Sequence, residues 1–201
     1  MLETLLSLDT SALLWARTLV WVEYAKYVQI SWELIVILAA IILIGLWLKW
    51  VQKKDNRYKI WALEITFTIG LTFIFYSIIN LWLPQDWRES PQVVANGIKP
   101  LIPHPVDNSF PSGHALFTAA LLVGIIRFFR NKYLIGLTII IWCITVWARV
   151  IGWVHYPVDI IGGIIVGGIG AYMMTILVEN TQFFRRYIFA ALIKIASWIK
   201  L

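Results

Sequence analysis

Along this chain the hydrophobic positions gather into blocks of roughly 20 residues, the length that crosses a bilayer as an α-helix. Clear blocks cover about 31–51, 60–83, 112–129, 133–153 and 158–178, with polar connections between them. A weaker block, about 10–29, carries Arg17, Glu23 and Lys26 among Leu, Val and Trp. It predicts a further helix that either spans or lies in the interface as an amphipathic segment. The pattern therefore predicts an all-α integral membrane bundle of about six transmembrane helices, with residues 1–201 forming one domain. Glu33 and Glu64 fall near span ends and are expected at the interface. Gly162, Gly163, Gly167, Gly168 and Gly170 stud the last block. Small residues there permit close helix contact, although any one of them serves equally well as packing filler.

Composition supports a bilayer as the solvent. Charged residues make up 14% of the chain, where a soluble domain carries about 25%, and the mean hydropathy is +0.78. The single cysteine, Cys143, lies in an apolar run; it cannot close an intrachain disulfide and reads as a small hydrophobe. Met1–Ser11 holds Glu3 and Asp9 and no basic residue, the wrong start for a cleaved signal peptide.

The net charge of +6 is mostly a topology signal. Lys49, Lys53, Lys54, Arg57 and Lys59 cluster between the blocks at 31–51 and 60–83; Arg127, Arg130 and Lys132 between those at 112–129 and 133–153; Arg185, Arg186, Lys194 and Lys200 after the last. These connections fall on one side and hold 12 of the 17 basic residues, so that side is expected to be cytoplasmic. The loops at about 84–111 and 154–157 then face outward, as on the periplasmic face of a bacterial inner membrane. The basic tail, about 180–201, is expected to lie along the inner leaflet as an amphipathic helix. No soluble basic face remains for nucleic acid, and nothing in the chain indicates an oligomeric state.

All three histidines are in or beside the outward loops. Pro111-Ser112-Gly113-His114 opens the block at 112–129, and Pro suits a first helical turn. The unpaired N–H groups of such a turn, with the positive end of the helix dipole, form an anion site. Ser112 adds a hydroxyl, and Gly113 lets an anion approach the backbone. Arg149 sits about one turn below the second outward loop, where an ionisable group is costly and marks function, and its planar fork suits phosphate oxygens. His155 and Asp159 are four apart, so the carboxylate can hold the ring by one nitrogen and leave the other to attack. His114, from the other loop, can protonate a leaving oxygen. Each piece alone has a plainer meaning: Pro-Ser-Gly is a common turn, Arg149 a snorkelling end charge, His155 with Asp159 an interfacial pair. His104 reads as a loop residue. Together, on one side of one membrane, the strong elements argue for a site.

Phe110-Pro-Ser-Gly-His114 and Arg149-x5-His155-x3-Asp159 resemble the second and third signature motifs of the type 2 phosphatidic acid phosphatase superfamily. Leu101–His114 and His155-Tyr-Pro-Val-Asp159-Ile-Ile-Gly-Gly163 are most similar to its bacterial undecaprenyl-diphosphate phosphatase branch. Three departures stand out. Leu81 occupies the place of the lysine in the family's first motif, where Arg88-Glu-Ser-Pro91 stands near the family arginine; Arg88 or Lys99 would serve the phosphate. Ala148 precedes Arg149 where serine is usual. Trp153 stands two before His155 where glycine is usual, with Gly152 one step early.

The resemblance implies a lipid phosphatase that works without metal or cofactor. His155 would be the nucleophile, Asp159 would orient it and His114 would be the acid, with Arg149, Arg88, Ser112 and the Gly113 N–H clamping the transferring oxygens. The residues agree, since no acidic cluster or Cys/His set is available to hold a metal. The expected substrate is a lipid phosphate or diphosphate, undecaprenyl diphosphate first, with phosphatidylglycerol phosphate and phosphatidic acid as alternatives. Two rivals are a lipid phosphotransferase of the same fold, of the lipid A type, and a non-enzymatic anion-gripping transporter or scaffold. A transporter should place its polar groups near the midplane, and here they crowd one interface.

Overall fold

A computed structural model describes residues 2–19, 25–53, 56–83, 89–91, 101, 109–129, 131–180 and 182–198. Among them the secondary-structure elements are all helices: α1 (Leu2–Thr18), α2 (Ala25–Lys53), α3 (Asn56–Trp82), α4 (Gly113–Phe128), α5 (Lys132–Ile151), α6 (Pro157–Asn180), a π-helical turn (Phe184–Phe189) and α7 (Ala190–Trp198). Their ends follow local chemistry. The Asn131 side chain caps α5, accepting from the Tyr133 and Leu134 N–H groups at 2.9 and 3.2 Å. Pro157 opens α6, where its missing N–H costs nothing. Helices α2, α3, α5 and α6 are long and apolar enough to cross a membrane, and α4 is a shorter apolar helix. Large apolar side chains such as Ile37, Ile41, Ile44, Ile165 and Ile169 are exposed on the outer faces, as a lipid-facing surface requires. The chain is a multi-pass membrane protein.

The expected weak helix over 10–29 is divided. Helix α1 ends at Thr18 and Ala25 already belongs to α2, with 20–24 outside the described residues. Helix α1 packs against α5 and α6 at one end of the bundle. The Asp9 carboxylate accepts from the Val158 N–H at 3.0 Å, and the Trp15 ring meets Trp147 edge-on at 6.4 Å. Helix α2 starts at the same end, where the Ser31 carbonyl accepts from the Thr145 hydroxyl at 3.3 Å.

Helices α4 and α6 form the central seam. A Cβ on Gly163 would lie 2.5 Å from the Ser112 carbonyl oxygen, and one on Gly167 only 2.4 Å from that of Leu116. Only glycine lets these backbones touch. The seam is tied at both ends: the Ser112 N–H donates to the Asp159 carbonyl at 3.0 Å, and Arg127 makes a bidentate pair with Glu179 at 2.9 and 2.6 Å. Gly168, by contrast, faces open space. Helix α3 closes against the seam, with Thr68 and Thr175 hydroxyls 3.4 Å apart. An apolar cluster of Ile35, Leu38, Ile42, Leu46, Ile65, Leu121 and Ile125 fills the space between α2, α3 and α4.

Lys53, Arg57, Arg127 and Lys132 fall at the helix ends opposite Arg149 and His155, so the bundle has a basic end and a site end. Lys59 covers the Trp47 ring at 4.9 Å. Glu33 is exposed, as expected at an interface; Glu64 is instead buried, since α3 turns it inward. The tail is helical across 182–198, with Phe189 buried against Phe67, the ring centroids 5.5 Å apart, and Arg186 and Lys194 exposed.

Candidate active site

Three segments converge at the site end. The first runs into α4. Ser112 is its N-cap, with extended backbone (φ −65°, ψ 117°), yet its side chain does not cap the helix. Its hydroxyl oxygen is buried and has no hydrogen-bond partner among the described residues. A buried, uncapped hydroxyl beside first-turn N–H groups is suited to an incoming anion. Gly113 supports this: a side chain there would meet only Tyr76, at 3.7 Å, so the approach is open. His114, the second residue of α4, is half-buried at the same helix start. The Tyr76 hydroxyl steadies the segment by donating to the Pro111 carbonyl at 3.3 Å.

The second segment is the last turn of α5, which places Arg149 at 0% exposure. A sharp hook follows. The N–H groups of Val154 and His155 both reach back to the Arg149 carbonyl, at 3.2 and 3.3 Å. Trp153 allows the hook by adopting a left-handed backbone, φ 62°, with its ring buried. The hook returns His155, 4% exposed, to the guanidinium: Nε2 lies 3.4 Å from Arg149 Nη2.

The third segment is the first turn of α6, with Asp159 fully buried. Here the structure corrects the expected contact. His155 Nδ1 is 3.9 Å from Asp159 Oδ2, beyond hydrogen-bonding distance. Nδ1 lies instead 2.9 Å from the main-chain oxygen of Ser109. A carbonyl only accepts, so Nδ1 carries the proton and Nε2 presents its lone pair toward Arg149. The Asp159 carboxylate accepts from the Tyr156 N–H at 2.8 Å and, by a short hydrogen bond, from the Ser109 hydroxyl. Spacing pointed to a side-chain carboxylate four residues on, but the ring is held by a main-chain carbonyl, which leaves no mark in sequence.

The structure thus brings together His155, Arg149, Asp159, Ser112 and Gly113 and adds Ser109. Arg88, Lys99 and His104 lie outside the described residues. Leu81, at the place of the family lysine, is 85% exposed, so the end of α3 brings no inward charge there.

The bundle thus buries an arginine, a histidine and a carboxylate beside an open helix start, groups chemically able to hold an oxyanion. The chain belongs to the PAP2 superfamily, whose profile matches residues 10–183. It is similar to the undecaprenyl-diphosphatase BcrC of Bacillus subtilis (strain 168), 32% identical over 136 residues, which are 67% of this chain and 64% of that protein. The chain therefore matches a little under two thirds of that relative's length. Among solved structures it is similar to the PAP2-type phosphatidylglycerolphosphate phosphatase of Bacillus subtilis, with a TM-score of 0.67 and 19% identity, covering 90% of this chain and 89% of that one. It is also similar to LpxE of Aquifex aeolicus, with a TM-score of 0.52 and 15% identity over 76% and 92%. These two structures show the shared fold.

Proposed function

We propose that the chain is a lipid phosphatase that removes a phosphate through a phosphohistidine, with undecaprenyl diphosphate as its preferred substrate. The observation that carries the chemistry is the setting of His155. One ring nitrogen is held by a carbonyl, and the other faces a buried guanidinium 3.4 Å away. A phosphoryl group between Nε2 and the start of α4 would meet Arg149, the Ser112 hydroxyl and the Gly113 N–H, an electrostatic clamp of the kind phosphoryl transfer requires. The Nε2 lone pair attacks phosphorus and forms the P–N bond as the bond to the leaving oxygen breaks. His114 gives that oxygen its proton. Water then attacks phosphorus and passes a proton to His114, the P–N bond breaks, and inorganic phosphate leaves. Arg88 and Lys99 are the groups proposed to take the second phosphate of a diphosphate.

The substrate reading is supported by similarity to the Bacillus subtilis undecaprenyl-diphosphatase and by the segment Leu101–His114. The proposed setting is the bacterial inner membrane with the site on its outer face, an orientation that the one-sided basic connections support. The test is phosphate release by detergent-solubilised protein from undecaprenyl diphosphate, phosphatidylglycerol phosphate and phosphatidic acid, with and without an acceptor lipid. The diphosphate should show the highest kcat/KM, with water as acceptor. A better monophosphate ester overturns the substrate and leaves the reaction class. Transfer that requires the acceptor makes the chain a phosphotransferase, and no turnover of any lipid phosphate makes it an anion-binding protein.

A further inference from the structure

We propose that Ser109 is the positioning residue through which Asp159 acts on His155, a proposal that rests on the phosphatase reading above. Ser109 stands outside both signature motifs, and neither charge nor spacing singles it out. In the fold it is completely buried and touches both members of the pair. Its carbonyl oxygen is 2.9 Å from His155 Nδ1 and its hydroxyl oxygen 3.5 Å from the same nitrogen. Its hydroxyl donates to Asp159 Oδ2, while the carboxylate remains 3.9 Å from the ring.

The geometry divides the labour. The Ser109 carbonyl fixes the tautomer and plane of the nucleophile. A main-chain carbonyl in an irregular segment has no helix to hold it, so the constraint on the ring is only as firm as the anchor of residue 109. The Ser109 hydroxyl on the buried carboxylate is that anchor. Asp159 also accepts from the Ser112 N–H through its own carbonyl, at 3.0 Å. It therefore grips the segment 109–112 at both ends, and its hold on His155 passes through the first of these grips. In this chain the orienting carboxylate works one residue removed.

The test is a double-mutant cycle in the full chain. Ser109→Ala should lower kcat for phosphate release by ~10-fold or more with KM little changed, because ring orientation matters in the transition state rather than in lipid binding. Ser109→Thr, which keeps the hydroxyl, should restore most of the rate. Once Asp159→Asn has weakened the anchor, adding Ser109→Ala should slow the enzyme by no more than ~2-fold further, since coupled residues are not additive. Ser109→Cys, of similar volume and a weak donor, replaces the alanine variant if that fails to fold. A direct readout is ¹⁵N NMR of the histidine rings in detergent, with His155 assigned by its loss in His155→Ala. Wild type should show the Nδ1–H tautomer and Ser109→Ala a mixture. Unchanged kcat, a loss confined to KM, fully additive effects or an unchanged tautomer each overturn the proposal. If the wild type turns over no lipid phosphate, the phosphatase reading fails, and the tautomer measurement still decides the role of Ser109.

Discussion

Replacing Gly167 by alanine should disable the protein from the middle of a helix, well away from the reacting atoms. The new Cβ would sit 2.4 Å from the Leu116 carbonyl oxygen and 2.7 Å from its Cα, about 1 Å short of van der Waals separation. The obstacle is backbone, so no side-chain rotation relieves it and α4 must move bodily. Overpacking of this kind costs about 1–3 kcal/mol. The rate should suffer more than the fold. Helix α4 carries Ser112 and His114 at its start and α6 carries Asp159, so a displaced seam shifts one half of the site against the other. A misplacement of about 1 Å can cost ~10²-fold in rate. The assay is kcat for phosphate release beside thermal unfolding in the same detergent. Gly168→Ala is the control, because nothing lies within 4 Å of its Cβ; its kcat should stay within ~2-fold of wild type, as for a substitution that touches no neighbour. Wild-type kcat in Gly167→Ala, or an equal loss in Gly168→Ala, would refute the reasoning.

Further outcomes follow from the chemistry and the topology. His155→Ala should abolish turnover and His114→Ala should lower kcat by ~10²-fold or more, as for a lost general acid; a His155→Ala variant at wild-type rate removes the nucleophile from the scheme. Phosphate release should survive EDTA, because the proposed clamp is built from Arg149, Ser112 and backbone N–H; complete loss with rescue by Mg²⁺ would sink the phosphohistidine route. A cysteine at Asn96, in the loop expected to face outward, should react with an impermeant thiol reagent in intact cells whose outer membrane has been permeabilised, and labelling only after lysis would reverse the orientation.

Much of the fold can be read from the apolar blocks, because a bilayer imposes their length. The start of the chain is harder to read. Arg17, Glu23 and Lys26 blur the boundary between two helices, and only tertiary contacts such as Asp9 with Val158 show where α1 packs. The glycines of α6 look alike in sequence, since the need for Gly167 and the indifference at Gly168 depend on which face meets α4. Trp153 reads as a departure from the family's glycine. In the structure it takes the conformation a glycine would, φ 62°, at a strain of about 1–2 kcal/mol. The arginine, histidine and carboxylate of the site were legible because charge in an apolar run is conspicuous. Ser109 was not, because it acts partly through its main chain.

The shortness of α4 sets the depth of the proposed site. Its 16 residues rise about 24 Å, less than the ~30 Å of a bilayer's hydrocarbon layer. Helix α4 ends at Phe128 and α5 begins at Lys132, both at the basic end. Counted from Lys132, Arg149 stands about 26 Å up α5, level with the start of α4. If the basic end sits at the inner boundary, as proposed, the ledge proposed to hold the phosphate would lie on the order of 5 Å below the outer boundary, a dimple in the membrane. A lipid substrate would have to sink its headgroup to reach it, and a soluble ester has no anchor to draw it down. In the proposed reaction the phosphate would then leave toward water and the lipid slide back into its own leaflet.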